Sequence, residues 1–177
     1  GRVVAEGADA VVGAGVESIS MVSMQGINLK DITEEKLMES YPALWMPMIE
    51  TADIVAKRYD ISRESQDEYS LQSQQRTAAA QDAGYYEHEI VPMDTKMKVI
   101  DKETGEESVV DYTVDRDECN RPQTTLEGLS GLPPVRGEEH FITAGNASQL
   151  SDGAASVVVM DSKLAEKKGL EPLGAFR

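Results

Sequence analysis

The sequence has few cysteines, histidines, aromatic residues or positive charges, and each shortage excludes a class of protein. Its single cysteine, Cys119, has no partner for an internal disulfide, which favours a reducing compartment. The two histidines, His88 and His140, have no metal-ligand spacing to each other or to Cys119, so we expect no metal site. Aromatic residues make up only 5% of the chain, so its packing must be largely aliphatic.

Positive charge is also scarce, with 17 Lys and Arg residues against 32 Asp and Glu residues and a net charge of −15. Such a chain repels phosphate backbones, so we expect no nucleic-acid partner. A small anionic ligand would need a local Arg, Lys or backbone N–H site. No apolar run has the length of a membrane span, and the first residues do not resemble a signal peptide, so we expect no membrane insertion. The missing initiating Met suggests a truncated or processed chain.

Two apolar runs near the ends of the chain predict short buried strands, and the first of them would be covered on both faces. The first is Ala10-Val11-Val12, which is bounded by glycines, and the second runs from Ala155 to Met160. Asp161 or Ser162 is expected to cap a helix after the second strand, and Gly169 is expected to end it.

Helices are predicted in the intervening sequence. A short helix over 33–41 would be capped by Asp31 or Thr33. Apolar residues at helical spacing predict an amphipathic helix over 50–59. Ser62 would then cap a longer helix that ends at Gly84.

A strand-like segment, 89–93, is followed by two β-prone runs around Gly105 that predict a hairpin. The acidic residues between 101 and 118 are more typical of a solvent-exposed segment than of a metal site. Residues 123–127 would begin a short helix that Gly131 ends.

Three local patterns suggest enzymatic sites that their surroundings disfavour. Gly13-Ala14-Gly15 lacks the third glycine of a dinucleotide-binding loop. Cys119 follows several acids, which disfavour a reactive thiolate. His140, Ser148 and Asp152 could form a hydrolase triad, but Ser148 lacks the glycine-flanked nucleophile elbow.

The run of small and polar residues over 143–155 is a candidate ligand loop. Its glycines would let the backbone approach a ligand closely, and Ser148 offers a hydroxyl. A tight structural turn explains the same residues equally well.

This loop, Thr143–Ala155, closely resembles the thiolase family. Further stretches are similar to the family in order and spacing: 8–20, 48–56, 61–92 and 117–127. The resemblance covers essentially the whole chain. It departs mildly at Ala14 and Val16.

The resemblance implies an α/β fold, as part of a thiolase-like architecture of two related halves. Residues 1–20 would form the last part of the N-terminal half up to the strand near Ala10. Residues 21–142 would form the inserted loop domain. Residues 143–177 would supply the coenzyme A-contacting loop, the last strand and the last helix of that half.

Thiolases are acyltransferases that make or cleave 3-ketoacyl-CoA by thioester exchange, using a nucleophilic Cys, a His that activates it and a second Cys that moves a proton. The resemblance places the nucleophile upstream of Gly1 and the other two residues beyond Arg177, so no catalytic residue is expected in this chain. The chain alone would then be inactive. The alternatives are a non-catalytic acyl-CoA-binding or interaction module derived from a thiolase, or a purely structural fragment.

By the same match, Ser148 and Ala144 would contact the pantetheine arm of coenzyme A, Met48 would line its tunnel, and Arg121 would lie near the nucleotide. Pro47 replaces a frequent His of the family. The resemblance implies no permanent cofactor. It implies acyl-CoA as substrate, the remainder of a thiolase chain as partner, and a dimer or tetramer in the cytoplasm or an organelle matrix. Gln149 favours the degradative branch.

Overall fold

The computed structural model describes residues 1–22, 30 and 32–176. Its contacts divide the chain into two compact units. The first consists of Gly1–Leu29 and Leu150–Arg177, and the second of Lys30–Gln149. Asp31, one of the two expected caps of the first predicted helix of the second unit, lies outside the described residues.

The first unit contains an antiparallel pair of strands from distant parts of the chain. Helix α1 (Arg2–Ala5) precedes strand β1 (Ala10–Glu17), which pairs with a strand from the end of the chain, Gly153–Met160. This strand, β4, runs from the Glu17–Gly153 pair to the Ala10–Met160 pair. Both predicted strands are therefore present, and both are longer than the apolar runs that indicated them.

The prediction that both strands are buried, the first of them on both faces, was wrong. All but one residue of each strand is exposed, including Val12 and Val158. Within the described residues the sheet contains only these two strands. A strand is buried on both faces only where other layers pack on the sheet, and an apolar sequence does not itself supply those layers.

The last helix of the first unit, named α6 in chain order, spans Ser162–Lys167. Asp161 caps it, because its carboxylate accepts hydrogen bonds from the backbone N–H groups of Lys163 and Leu164. Gly169 follows with a φ of 67°, a conformation that glycine adopts without steric cost. The cap and the glycine stop are as predicted, with Asp161 rather than Ser162 in the capping position.

Among its described residues, the second unit begins with three α-helices, and a 3-10 helix (Pro42–Trp45) lies between the first two of them. Helix α2 spans Glu35–Ser40, and its cap is Glu34 rather than Thr33, because the Glu34 carboxylate accepts from the Leu37 N–H. Helix α3 (Met48–Arg58) begins two residues before the predicted start. Helix α4 (Arg63–Asp82) is capped by the Ser62 hydroxyl.

The hairpin was predicted correctly, although its strands are longer than expected. Strand β2 (Met93–Ile100) pairs antiparallel with β3 (Glu107–Val114), and Gly105 in the connection has a φ of 74°. Residues 89–92 are not part of a strand, contrary to the prediction. The backbone turns there instead, because the N–H groups of Glu89 and Ile90 both bond to the Tyr86 carbonyl.

Helix α5 (Leu126–Ser130) is capped by the Thr125 hydroxyl and ends at Gly131, as predicted. It packs against α4, and this contact positions the candidate site. Ala56 and Leu129 are the buried apolar side chains of this unit among the described residues. None of the described helices is both long and apolar enough to cross a bilayer.

Candidate functional site

A groove of about 300 Å³ lies within the second unit. It lies between α4, the segment that leads into α5, α5 itself and the loop over 143–149. The following residues line it: Gln74, Arg121, Gln123, Thr124, Thr125, Gly128, Leu129, Leu132, Ala144, Gly145, Ala147 and Gln149.

The loop meets α5 at Gly145, where a larger residue would force two leucine side chains to move. A Cβ atom at this position would lie 2.6 Å from Leu129 Cδ2 and 2.6 Å from Leu132 Cδ1. The backbone of the loop therefore packs directly on two leucine side chains, which gives the groove an apolar floor. Ala144 and Ala147, on either side of this contact, add only methyl groups.

The loop is held in shape by its own polar side chains. Thr143 is 0% exposed, and its hydroxyl accepts from the N–H groups of Gly145 and Asn146. The Asn146 amide oxygen accepts in return from the Thr143 N–H at 2.8 Å. The Asn146 amide nitrogen donates to the Phe141 carbonyl at 3.0 Å. The loop is thus both a tight turn and a groove wall, so the two interpretations of its sequence are compatible.

Buried Asp67 on α4 lies behind this loop and is 1% exposed. One carboxylate oxygen accepts from the Asn146 amide at 3.0 Å, and the other accepts from Arg63 Nε at 2.8 Å. Arg63 Nη2 donates to the carbonyl oxygens of Leu129 and Leu132. The sequence patterns did not indicate this cluster. The signal that could have revealed it is an Arg–Asp pair four residues apart on the inward side of a helix.

Arg121 lies in a segment that glutamine side chains fix against α4 and the loop. Its backbone N–H donates to Gln74 Oε1 at 2.8 Å. Gln149 Nε2 donates to the Cys119 carbonyl at 2.9 Å. The Arg121 carbonyl accepts from both the hydroxyl and the N–H of Thr124. The backbone around Arg121 is therefore well anchored, while its side chain is free of these backbone constraints and lines the groove.

The charge of the groove differs from that of the chain. Although the whole chain has a net charge of −15, Arg121 is the one charged side chain among the described residues that line the groove. Because no carboxylate is present in this lining, an anion would meet one positive charge and no nearby negative charge of the lining itself. The groove can therefore accept a ligand with an anionic end and an apolar or amide-containing arm.

The sequence-predicted site residues do not all lie together. Arg121 and Ala144 both line the groove. Ser148 is exposed and outside the lining, although its neighbours Ala147 and Gln149 belong to it. Met48 is the first residue of α3, is 89% exposed, and is also outside the lining.

A second buried carboxylate, Asp53 on α3, anchors the segment that leads into the loop. It is 2% exposed and accepts from the Phe141 N–H at 3.0 Å. Arg136 Nη1 lies 3.2 Å from its Oδ2. His140 Nδ1 lies 2.9 Å from the same oxygen, an ion-pair distance. Burial raises the pKa of Asp53, but the Phe141 hydrogen bond, the His140 charge and the Arg136 hydrogen bond together outweigh it and hold that pKa below 3.8.

The hydrolase triad considered for His140, Ser148 and Asp152 finds no support in these contacts. His140 pairs with Asp53. Asp152 instead accepts from the Ser20 N–H at 2.9 Å and from the hydroxyls of Ser18 and Ser20. These bonds lower the pKa of Asp152, the Ser20 hydroxyl contributing most. Its carboxylate therefore ties the end of β1 to the start of β4.

Comparison with known proteins identifies the family. The model of the thiolase N-terminal domain matches residues 1–163. The chain belongs to the thiolase family. The peroxisomal 3-ketoacyl-CoA thiolase 1 of Arabidopsis thaliana is 40% identical to this thiolase chain over 169 residues, which cover 96% of this chain and 37% of the relative.

Solved thiolase structures confirm the partial thiolase-like α/β fold. The human mitochondrial 3-ketoacyl-CoA thiolase in complex with CoA matches with a TM-score of 0.70 and 37% identity, covering 97% of this chain and 42% of that one. The dimeric peroxisomal thiolase of Saccharomyces cerevisiae matches with a TM-score of 0.73 and 30% identity, covering 98% and 42%. The chain thus spans about two fifths of the length of these relatives.

Proposed function

We propose that this thiolase chain supplies part of the coenzyme A site of an enzyme that makes or cleaves 3-ketoacyl-CoA. The observation that carries the proposal is the acid-free, apolar-floored groove with Arg121 at its lining in a chain of net charge −15. Coenzyme A combines a phosphorylated nucleotide with a long pantetheine arm, which suits a groove of this composition. The human thiolase that matches this fold was solved as a CoA complex.

Within this proposal, each predicted site residue has a separate role. The guanidinium of Arg121 pairs with a phosphate of the nucleotide, since a planar guanidinium binds phosphate oxygens through two parallel N–H bonds. Ala144 leaves space for the pantetheine arm above the leucine floor. Ser148 and Met48 line the path of that arm beyond the groove. Both side chains are exposed and so are accessible to such a ligand.

The chemical step belongs to residues that this chain does not contribute. Cys119 is exposed and follows Asp117 and Glu118, without a histidine or a basic residue beside it in the sequence. It is also absent from the described lining of the groove. We therefore propose that the nucleophilic Cys, the activating His and the second Cys lie outside these 177 residues, and that the chain alone is inactive. Coenzyme A acts as a substrate, not as a permanently bound group.

The family also supports proposals on organisation. Residues 1–20 and 143–177 form part of the N-terminal thiolase half, and residues 21–142 form the inserted loop domain. The pairing of β1 with β4 across this long interval supports a first half that the insertion interrupts, although the compact units divide at 29/30 and 149/150 and so group the 143–149 loop with the second unit. Assembly as a dimer follows the yeast relative, which is described as dimeric. An organelle matrix is supported by the peroxisomal and mitochondrial names of relatives, and the cytoplasm is the other candidate compartment.

The test is a calorimetric titration with CoA and with pantetheine, on the polypeptide as its source expresses it. Intact mass and peptide mapping at both ends establish whether that polypeptide extends beyond 19.3 kDa. Acetoacetyl-CoA cleavage is then assayed on it and on the 177-residue chain. Saturable binding of CoA supports the proposed site. Cleavage by the 177-residue chain itself would contradict the assignment of the chemistry to residues outside it.

Ala144→Leu provides the matched structural test of the groove. The larger side chain occupies the space above the leucine floor, so CoA affinity should fall by at least about tenfold. Ala43→Leu adds the same side chain at an exposed position outside the groove and should leave the affinity unchanged. Equal affinities in the two variants would place the CoA site elsewhere. Saturable CoA binding without cleavage in the source polypeptide would favour the non-catalytic binding module.

A further inference from the structure

We infer that Asp67 is a positioning residue that holds both walls of the groove through one carboxylate. The loop wall consists of residues 143–147, and the helix wall consists of residues 129–132. Asp67 is absent from the described lining of the groove, so it acts through other residues. Its consequence for CoA binding rests on the function proposed above, whereas its role in fixing the two walls does not.

The loop wall depends on Asp67 through Asn146. The Asn146 amide nitrogen donates both to Asp67 Oδ1 and to the Phe141 carbonyl, at 3.0 Å each. This leaves the amide oxygen to accept from the Thr143 N–H at 2.8 Å. Because the Asp67 carboxylate accepts from one side of the amide, it fixes which way the amide faces and so fixes the turn around Gly145.

The helix wall depends on Asp67 through Arg63. Asp67 Oδ2 accepts from Arg63 Nε at 2.8 Å, which orients the guanidinium plane. Arg63 Nη2 then donates to the Leu129 carbonyl at 2.8 Å and to the Leu132 carbonyl at 3.1 Å. The Leu129 carbonyl lies in the last turn of α5 and also accepts from the Leu132 N–H, and the Leu132 carbonyl lies two residues beyond the helix. The side chains of the same two leucines contact Gly145.

Position 67 requires a side chain with two atoms that both accept hydrogen bonds. Both neighbours of Asp67 donate, one from a guanidinium and one from an amide. Asparagine at position 67 has nearly the same shape but one accepting atom, so its NH₂ group must face a donor on one side. Since the site is buried, water cannot readily replace the lost acceptor. Asp67→Asn therefore removes the hydrogen bonding to one wall and the negative charge that orients Arg63.

Backbone hydrogen exchange tests the two-wall role directly. The reporters are the Gly145 N–H, which bonds to the Thr143 hydroxyl, and the Leu132 N–H, which bonds to the Leu129 carbonyl. Asp67→Asn should accelerate exchange at both reporters by about tenfold or more. Arg63→Met should accelerate mainly Leu132, and Asn146→Ala mainly Gly145. If Asp67→Asn does not fold, these two variants still test whether each wall depends on its own contact with Asp67.

Asp101→Asn is the matched control, because Asp101 is a carboxylate of the same unit that accepts two backbone N–H groups, those of Glu103 and Thr104, in the hairpin turn outside the groove. It should leave exchange at Gly145 and Leu132 unchanged. The inference is overturned if Asp67→Asn accelerates the two reporters no more than Asp101→Asn does. It is equally overturned if Arg63→Met and Asn146→Ala leave their own reporters unchanged.

CoA affinity, measured where each variant is fully folded, separates this inference from the proposed function. Asp67→Asn should weaken CoA binding by about tenfold while Asp101→Asn changes it by less than about twofold. If the unsubstituted protein does not bind CoA, the proposed function fails, and the exchange data still decide the two-wall role. If it binds CoA and both substitutions weaken binding equally, the positioning role of Asp67 fails alone.

Discussion

Oδ2 of Asp53 lies 2.9 Å from Nδ1 of His140, and Oδ1 of the same carboxylate accepts the Phe141 N–H. One buried side chain of α3 thus holds two successive residues of the segment that enters the groove loop. Arg136 lies between two acids, with Nη1 at 3.2 Å from Asp53 and Nη2 at 3.6 Å from Glu50. These contacts join α3 to a segment that lies more than 80 residues later in the sequence.

We predict that this cluster makes stability depend on acid pH. The pKa of Asp53 is held below 3.8 in the folded protein, so the unfolded chain takes up the proton first as the pH falls. The stabilisation is therefore complete above about pH 4 and is lost as the pH falls toward the lowered pKa. Asp53→Asn should lower the free energy of unfolding at pH 7 by about 1–3 kcal/mol and flatten its acid dependence, measured by urea denaturation between pH 7 and pH 3.

Asp101→Asn is the control for this prediction. The N–H groups of Thr104 and Glu103 lower the pKa of Asp101, but that carboxylate is fully exposed in the hairpin turn. Its replacement should change the stability at pH 7 much less than Asp53→Asn. An unaltered acid dependence in Asp53→Asn would show that other carboxylates control acid unfolding.

Gly145→Ala should destabilise the second unit. The added Cβ would lie 2.6 Å from methyl groups of both Leu129 and Leu132, so both side chains must shift in a packed region. Overpacking of this kind costs about 1–3 kcal/mol. In the control Gly131→Ala, the new Cβ would lie 3.5 Å from the Glu127 carbonyl, an ordinary contact. Thermal unfolding should separate the two variants, and equal unfolding temperatures would disprove the close approach at Gly145.

Arg121→Gln should weaken CoA binding about tenfold, a loss of roughly 1.4 kcal/mol, because it removes the groove's positive charge. Pantetheine has no phosphate, so its affinity should be unchanged. The salt dependence of CoA affinity should also decrease, since a screened charge pair has been removed. Arg58→Gln makes the same change at an exposed position outside the groove and should leave CoA affinity intact. Equal effects of the two variants on CoA would reveal only a general charge effect.

Ser62→Ala should reduce stability by about 1 kcal/mol through loss of the α4 cap. The Ser62 hydroxyl accepts from the Ser65 N–H at 3.1 Å, and alanine leaves that donor without its capping partner. Ser73→Ala, at an exposed position within the same helix, should change stability by less than about 0.5 kcal/mol. Chemical denaturation of the two variants provides the measurement. A Ser73→Ala loss as large as that of Ser62→Ala would contradict the capping role.

Sequence alone predicted most elements whose boundaries depend on nearby residues, although it missed Glu34 as the cap of α2. Ser62, Thr125 and Asp161 each cap a helix by bonding to an N–H group two or three residues further along. Gly105 likewise permits the hairpin connection through its own backbone conformation. Such interactions lie within a few residues of sequence, so composition and spacing are sufficient to identify them. Ala144 and Arg121 were also selected from sequence, through the family resemblance, and the fold brings both to the groove.

The interactions that position the groove could not be predicted in the same way. Asp67 and Asn146 are 79 residues apart, and Arg63 and Leu129 are 66 residues apart. Their pairing depends on how α4 and α5 pack, which local spacing does not encode. The prediction that the two terminal strands are buried was wrong for a related reason, because a strand's sequence does not determine which layers cover it.

The pairing of β1 with β4 means that the segment between them could be replaced by the corresponding segment of a relative. Glu17 pairs directly with Gly153, so the chain leaves β1 and returns to β4 at one place, after an excursion of residues 18–152. A segment with adjacent ends can be replaced by another of different length without separating the strands that flank it. This thiolase chain can therefore be recombined with a relative at two neighbouring junctions. Such a chimera would transfer the groove and its supporting carboxylates together, because all of them lie within the replaced segment.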